Sequence, residues 1–308
     1  MSVQFLARPP IASQAPGASE AARPLAPGER QRERLAKVFV DNRIAALGAL
    51  LGLLVIFAAL GAPVISPLDP FEQSAANRLN GPDAVHLMGR DTFGRDIFAR
   101  VLYAGRVSLV VGLGSVALGG ALGTLLGVIA GYSSRRIENV VMRGVDVLMA
   151  FPSLLLGLAV LAVLGAGLEK IILAIGVVLA PSFARVVHAG TLSLKQREFV
   201  EAARCLGAGP ARVVVRHILP NLLGETVVLG SLLTASAIRI EASLSFIGLG
   251  VSPPTPTWGN MIRDGVPLLL NAPWLSIFPG LAILLTVLAF NLVGDGLQDA
   301  LNPKAGRG

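Results

Sequence analysis

Six stretches of this chain are each apolar for about 20 residues, the length an α-helix needs to cross the roughly 30 Å hydrocarbon core of a bilayer. They run approximately over residues 44–65, 107–131, 144–165, 171–190, 221–242 and 275–296. Inside hydrocarbon every backbone N–H and C=O must find its partner within the protein, so runs of this kind fold as helices. The composition agrees, with 53% hydrophobic and 15% charged residues, against about 25% charged in a soluble domain. The expected class is an all-α membrane protein with six transmembrane helices. Its first apolar run starts too late and is too long for a cleavable signal peptide, so it is expected to stay as an anchor.

Basic residues set the expected orientation. A net charge of +7 would suit nucleic acid, but in membrane proteins Lys and Arg collect in cytoplasmic loops. With the N-terminus inside, the cytoplasmic side, counting Arg185 near the inner end of the fourth apolar run, holds 18 of the 26 Lys and Arg, among them Arg135, Arg136, Arg143, Lys195, Arg197, Arg204, Arg212 and Arg216. The chain is then expected to divide into a disordered cytoplasmic tail, 1–35, and a basic segment with the first transmembrane helix, 36–66. An external loop, 67–106, a five-helix core, 107–300, with a cytoplasmic loop at 191–220, and a cytoplasmic C-terminus, 301–308, complete it. Both termini fall in the cytoplasm, and membrane lipid, not nucleic acid, is the surrounding partner.

Several chemistries find no support in these residues. Cys205 is the single cysteine, so no internal disulfide forms, and His86, His188 and His217 are too scattered to suggest a metal site. No G-x-x-x-x-G-K-[ST] loop is present to cradle nucleotide phosphates, and no G-x-S-x-G or H-E-x-x-H stretch marks a hydrolase. No catalytic residue is assigned. A proton-coupled secondary carrier would show intramembrane ionisable groups and often an inverted repeat, neither of which stands out.

Within the helices, Gly119, Gly123, Gly127 and Gly131 recur every fourth residue, which puts them on one face and allows another backbone to come close. Whether that neighbour belongs to this chain or to a partner is open at this level. Pro152, Pro181 and Pro279 each free a carbonyl and permit a kink. Arg239 and Glu241 lie about 30 Å along a helix counted from Asn221, so they are expected at the outer interface, with their side chains snorkelling to water. Asp146, Glu225 and Asp295 are expected near inner helix ends. Outside the membrane, Pro253-Pro254-Thr255-Pro256-Thr257-Trp258-Gly259 is stiff enough for an ordered cap, with Trp258 as an interfacial anchor.

The cytoplasmic loop carries Glu201-Ala202-Ala203, then Gly207, then Leu219-Pro220. The alanines favour helix and allow close approach, Gly207 can adopt φ > 0, and Pro220 suits the start of a helix. This pattern resembles the EAA loop of permease subunits in bacterial ABC importers. Gly89-Arg90-Asp91-Thr92-Phe93-Gly94-Arg95-Asp96, Ala150-Phe151-Pro152, Glu241 to Gly250 and Asn291 to Leu297 are similar to the second, C-type permease of the dipeptide/oligopeptide branch, so the resemblance spans about 35–304. Two departures stand out: His217 occupies the usual isoleucine position, with Ile218 one place later, and Met88 and Arg90 replace an expected proline and threonine.

The resemblance implies a type I ABC importer permease fold in the bacterial inner membrane, with the EAA segment as a coupling helix seated in a cytoplasmic ATPase. It also implies the partners: a homologous second permease, two ATPase subunits that bind ATP and Mg, and an external or periplasmic binding protein. In that scheme Glu201 is the polar contact, Ala202 and Ala203 permit close packing, Gly207 makes the turn, and Leu219 and Pro220 open the next helix. ATP would have to favour one cavity orientation by about 5.5 kcal/mol to drive the switch nearly to completion. Di- or oligopeptides are the implied cargo, with nickel, glutathione or another small solute as alternatives. Substrate-binding residues are not assigned.

Overall fold

The computed structural model describes residues 42–301, and all its regular elements are helical. The expected tail at 1–35 and the last cytoplasmic residues lie outside the described residues. Helix α1 spans Arg43–Leu60 and is capped by Asn42, whose Oδ1 accepts from the backbone N–H of Ile44 and Ala45 at 3.0 and 3.2 Å. Helix α2, Ile97–Tyr132, is 36 residues long and capped by Asp96, which accepts from Ala99 N at 2.7 Å. It starts ten residues earlier than the apolar run suggests, because Arg100 and Arg106 lower the hydropathy there without interrupting the helix. Arg106 on α2 donates to the C-terminal carbonyls of α1, Ala59 O and Leu60 O, each at 2.6 Å.

The third apolar run is not a continuous span. It divides into α3, Arg135–Met149, and α4, Ser153–Leu164, which meet at a 97° bend. Pro152 is the cause: it cannot extend α3, and it restricts Phe151 before it, so the chain turns there and restarts. Twelve residues of α4 reach only about 18 Å, short of the bilayer core. Pro181 and Pro279, by contrast, lie inside uninterrupted helices, α5 at Leu168–Leu194 and the C-terminal α9 at Trp274–Leu301. Among the described residues, five helices are therefore long and apolar enough to cross a membrane, and the broken α3–α4 pair makes the sixth candidate.

Between α5 and α9 lie α6, Glu198–Cys205, then α7, Pro210–Ile247, and α8, Trp258–Gly265. The run α7 contains a π-helical turn at Val214–Ile218 directly before Leu219-Pro220. Proline at 220 has no N–H to return to the carbonyl of Arg216, and the wider π turn absorbs that mismatch without breaking the helix.

The glycine stripe of α2 packs against α5 of the same chain. A Cβ on Gly123 would lie 2.3 Å from Ala180 O, one on Gly127 2.6 Å from Ala184 O, and one on Gly131 2.7 Å from Thr191 Cβ. The two backbones thus approach more closely than any larger residue permits, which gains dispersion contacts where the hydrophobic effect is absent. Glycine 48 does the same for α1 against Leu292 of α9.

The outer end is ordered by α8. Thr257 caps it, accepting from Asn260 N at 3.1 Å, and Trp258 is 2% exposed with its indole Nε1 donating to Val101 O at 3.0 Å. Trp258 is thus a core residue between α2, α7 and α9, not an interfacial anchor. The indole is large and apolar with a single donor, and the Val101 carbonyl of α2 satisfies that donor away from water.

Candidate functional site

Two regions outside the apolar layers are built to hold a defined shape. The first is the segment from α6 to the start of α7, which the sequence leads one to expect on the cytoplasmic side. Helix α6 carries Glu198 and Glu201 in its first turn, where the helix dipole favours anions, and Arg204 in its last. It ends at Gly207, which takes φ +83, while Ala208 N donates to Ala203 O at 3.0 Å and Gly207 N to Arg204 O at 2.9 Å, closing the helix with a left-handed residue. Glu201 and Ala202 are exposed, Ala203 is half-buried, and Leu206 is 89% exposed at the tip. Leu219 is half-buried and Pro220 exposed at the start of the next α-helical stretch.

This small helix is fixed to the membrane helices from beneath. Val200 is fully buried in a cluster with Val128 of α2, Val187 of α5, and Val213, Ile218 and Leu222 of α7. The guanidinium of Arg204 lies 5.3 Å from the ring centre of Tyr132, at the end of α2. Lys195 Nζ donates to Gly131 O at 2.7 Å. These contacts tie α6 to α2, α5 and α7 together.

The second region is the loop before α2, at the opposite end of that helix. Asp91 accepts from the backbone N–H of Phe93 and Arg95 at 2.8 and 3.0 Å and pairs with Arg95 Nε at 2.7 Å, while Arg100 Nε stands 3.5 Å away. Arg100 also donates to Pro70 O at 3.1 Å. Asp96 contacts His86 Nδ1 at 2.8 Å, and the other ring nitrogen of His86 contacts Arg90. Gly94 takes φ +74 and lies against Ser74, where a Cβ would be 2.1 Å from Ser74 O. Trp274 Nε1 donates to Arg90 O at 3.3 Å, which ties the loop to α9. Charges buried this deeply persist only when paired and hydrogen-bonded, as these are, so the loop is a rigid collar.

Glu241 departs from the sequence expectation. It is 0% exposed, accepting from Ser245 Oγ at 2.7 Å and from Ser108 Oγ of α2 at 3.2 Å, whereas Arg239 is exposed beside Ser236. A two-residue offset on a helix turns side chains to opposite faces, so the pair divides between the core and the outside instead of snorkelling together. The only sequence signal for this was Ser245, one turn beyond Glu241. Among the described residues no group of three or more His, Cys, Asp or Glu is close enough to hold a metal ion.

A bundle of long apolar helices with a short helix packed at one end defines an integral membrane protein, and comparison with known proteins specifies which kind. Residues 123–307 match the family described as binding-protein-dependent transport system inner membrane component. The chain is 43% identical to the dipeptide transport system permease protein DppC of Alkalihalophilus pseudofirmus, over 87% of this chain and 88% of that one. It is 44% identical to the glutathione transport system permease protein GsiD of Pectobacterium atrosepticum, over 86% and 89%. An inward-facing structure of the MetNI methionine ABC transporter shares the fold, with a TM-score of 0.54 at 19% identity over 66% of this chain and 97% of that one. The chain belongs to the binding-protein-dependent transport permease family and is a permease subunit of an ABC importer.

Proposed function

We propose that the chain forms half of the translocation pathway of an ATP-driven importer for di- and oligopeptides. The observation that carries the cargo is the likeness along nearly the whole chain to a dipeptide permease. Glutathione or a related small solute is the second reading, favoured by the equally extensive likeness to a glutathione permease. Uptake of labelled dialanine, glutathione and nickel by a strain lacking the chain, with and without its return, separates these readings. Restoration of dialanine uptake supports the first, and restoration of glutathione uptake alone the second.

The assembly we infer contains a homologous second permease, two cytoplasmic ATPases that bind ATP and Mg, and an external binding protein. The chain lies in the bacterial inner membrane with both termini in the cytoplasm, as the bias of Lys and Arg toward that side supports. Helix α6 is the coupling element. Glu201, Ala202 and Ala203 meet the ATPase, Gly207 makes the turn, and Leu219 and Pro220 begin the helix that receives the motion. Cys205, the chain's single cysteine and exposed, provides the test. A short bifunctional thiol reagent should link Cys205 to an ATPase subunit in membranes, and capture of only the second permease would refute this docking.

A further inference from the structure

A half-exposed ion pair stands beside the break between α3 and α4. Arg185 of α5 donates from Nη2 to Asp146 Oδ1 of α3 at 2.8 Å, with side chains 54% and 59% exposed. Arg185 stands nine residues before the end of α5 at Leu194, or about 14 Å up from the cytoplasmic end of that helix. One turn nearer the cytoplasm, His188 Nε2 meets Glu138 Oε1 at 3.0 Å, and this second contact is much more covered. The contacts are eight residues apart on α3 but three apart on α5, about 12 Å against about 4.5 Å, so α3 crosses α5 steeply. The chain then turns through 97° at Ala150-Phe151-Pro152, leaving Val147 and Phe151 exposed beside the pair.

Ionisable side chains at membrane depth face water-filled space or one another, not hydrocarbon. A half-exposed salt bridge also contributes little as a staple, about 0–1 kcal/mol. The covered His188–Glu138 contact already holds α3 to α5, which leaves the outer pair free to exchange partners.

We propose that Asp146 and Arg185 line the translocation pathway and hold the two charged ends of a zwitterionic peptide, Arg185 taking the C-terminal carboxylate and Asp146 the N-terminal ammonium. A guanidinium fork matches a carboxylate in two-point fashion, and an aspartate accepts from an ammonium. In the empty pathway the two neutralise each other, and a peptide replaces each partner charge for charge. Val147 and Phe151 supply the apolar surface that side chains of any sequence slide over. The ligand half of this assignment rests on the peptide reading above; the placement of the pair in the pathway does not.

The test uses the whole transporter in proteoliposomes. In a Cys205→Ser chain, Arg185→Cys and Asp146→Cys are exposed to a charged, water-soluble methanethiosulfonate, without nucleotide and with ATP–vanadate. Labelling that changes at least about fivefold between the two states supports the pathway placement, because only an alternating cavity gains and loses water there. Absence of labelling in both states places the pair against lipid or a partner and overturns the proposal whatever the cargo.

Uptake of dialanine, N-acetyl-dialanine and dialanine amide tests the ligand. Arg185→Gln should lose about tenfold of its discrimination against the amide, and Asp146→Asn a similar factor against the acetylated peptide, the scale of one charge-assisted hydrogen bond. The exchanged chain, Asp146→Arg with Arg185→Asp, should stay impaired. Equal loss for all three peptides, or full recovery in the exchanged chain, overturns the ligand role and makes the pair a structural staple. Labelling without uptake of any peptide by the unsubstituted transporter refutes the peptide reading and the ligand role with it, and leaves the pathway placement supported.

Discussion

Gly207 takes φ +83, and nothing lies within 4 Å of the position a Cβ would occupy, so a larger residue there meets backbone strain and no crowding. A non-glycine residue in the left-handed region costs about 1–2 kcal/mol, too little to prevent insertion of a chain this size but enough to reset the exit of α6. Gly207→Val should therefore reach the membrane at normal levels while ATP hydrolysis proceeds with little uptake, read as the ratio of ATP consumed to peptide accumulated. Glu241 poses the opposite case, since its environment is crowded and dry. Glu241→Ala leaves Ser108 and Ser245 without their shared acceptor, at a cost of about 1–3 kcal/mol for each buried group left unpaired. Thermal unfolding in detergent should show a clear loss for Glu241→Ala and a much smaller one for Glu241→Gln, whose amide oxygen still accepts.

Helices α2 and α5 meet along four glycines, and the contact is made of backbone. A Cβ added at Gly123 would fall 2.3 Å from Ala180 O and 2.5 Å from Phe183 Cβ, and neither atom can swing away. Overpacking of this kind costs about 1–3 kcal/mol or more per site. Gly123→Leu should lower the amount of folded protein in membranes and reduce uptake and ATP hydrolysis together, unlike Gly207→Val, which spares hydrolysis. The collar before α2 offers a pH reading. The backbone N–H groups of His86 and then of Val85 hold the Asp83 carboxyl below its ordinary value of 3.8. A depressed carboxyl contributes stability that is present above its unfolded value and is lost as the pH falls through its folded one. Proteolysis of residues 66–96 from the external face should thus be unchanged from pH 7 down to about pH 4 as far as Asp83 is concerned, and rise below that.

Over the whole molecule, what a reader of the sequence could obtain followed from properties that are local in the chain. Hydropathy and run length dictate helices in a membrane, because an unpaired backbone group in hydrocarbon costs more than any side-chain preference returns. The order of alanines, glycine and proline at 201–220 already marked a short helix, a turn and a restart. The broken third span was the exception at this level: Pro152 was visible, but a proline alone does not tell a kink within a helix, as at Pro181, from the 97° bend found here. The tertiary structure alone decided which charges are buried and which face outward, that Glu241 points into the core while Arg239 does not, and that Trp258 belongs to the core. It also decided that the glycine stripe is occupied by this chain's own α5. The physical reason is the same in each case: a residue's hydrophobicity and helix preference are its own, whereas its burial and its partner belong to whatever packs opposite it.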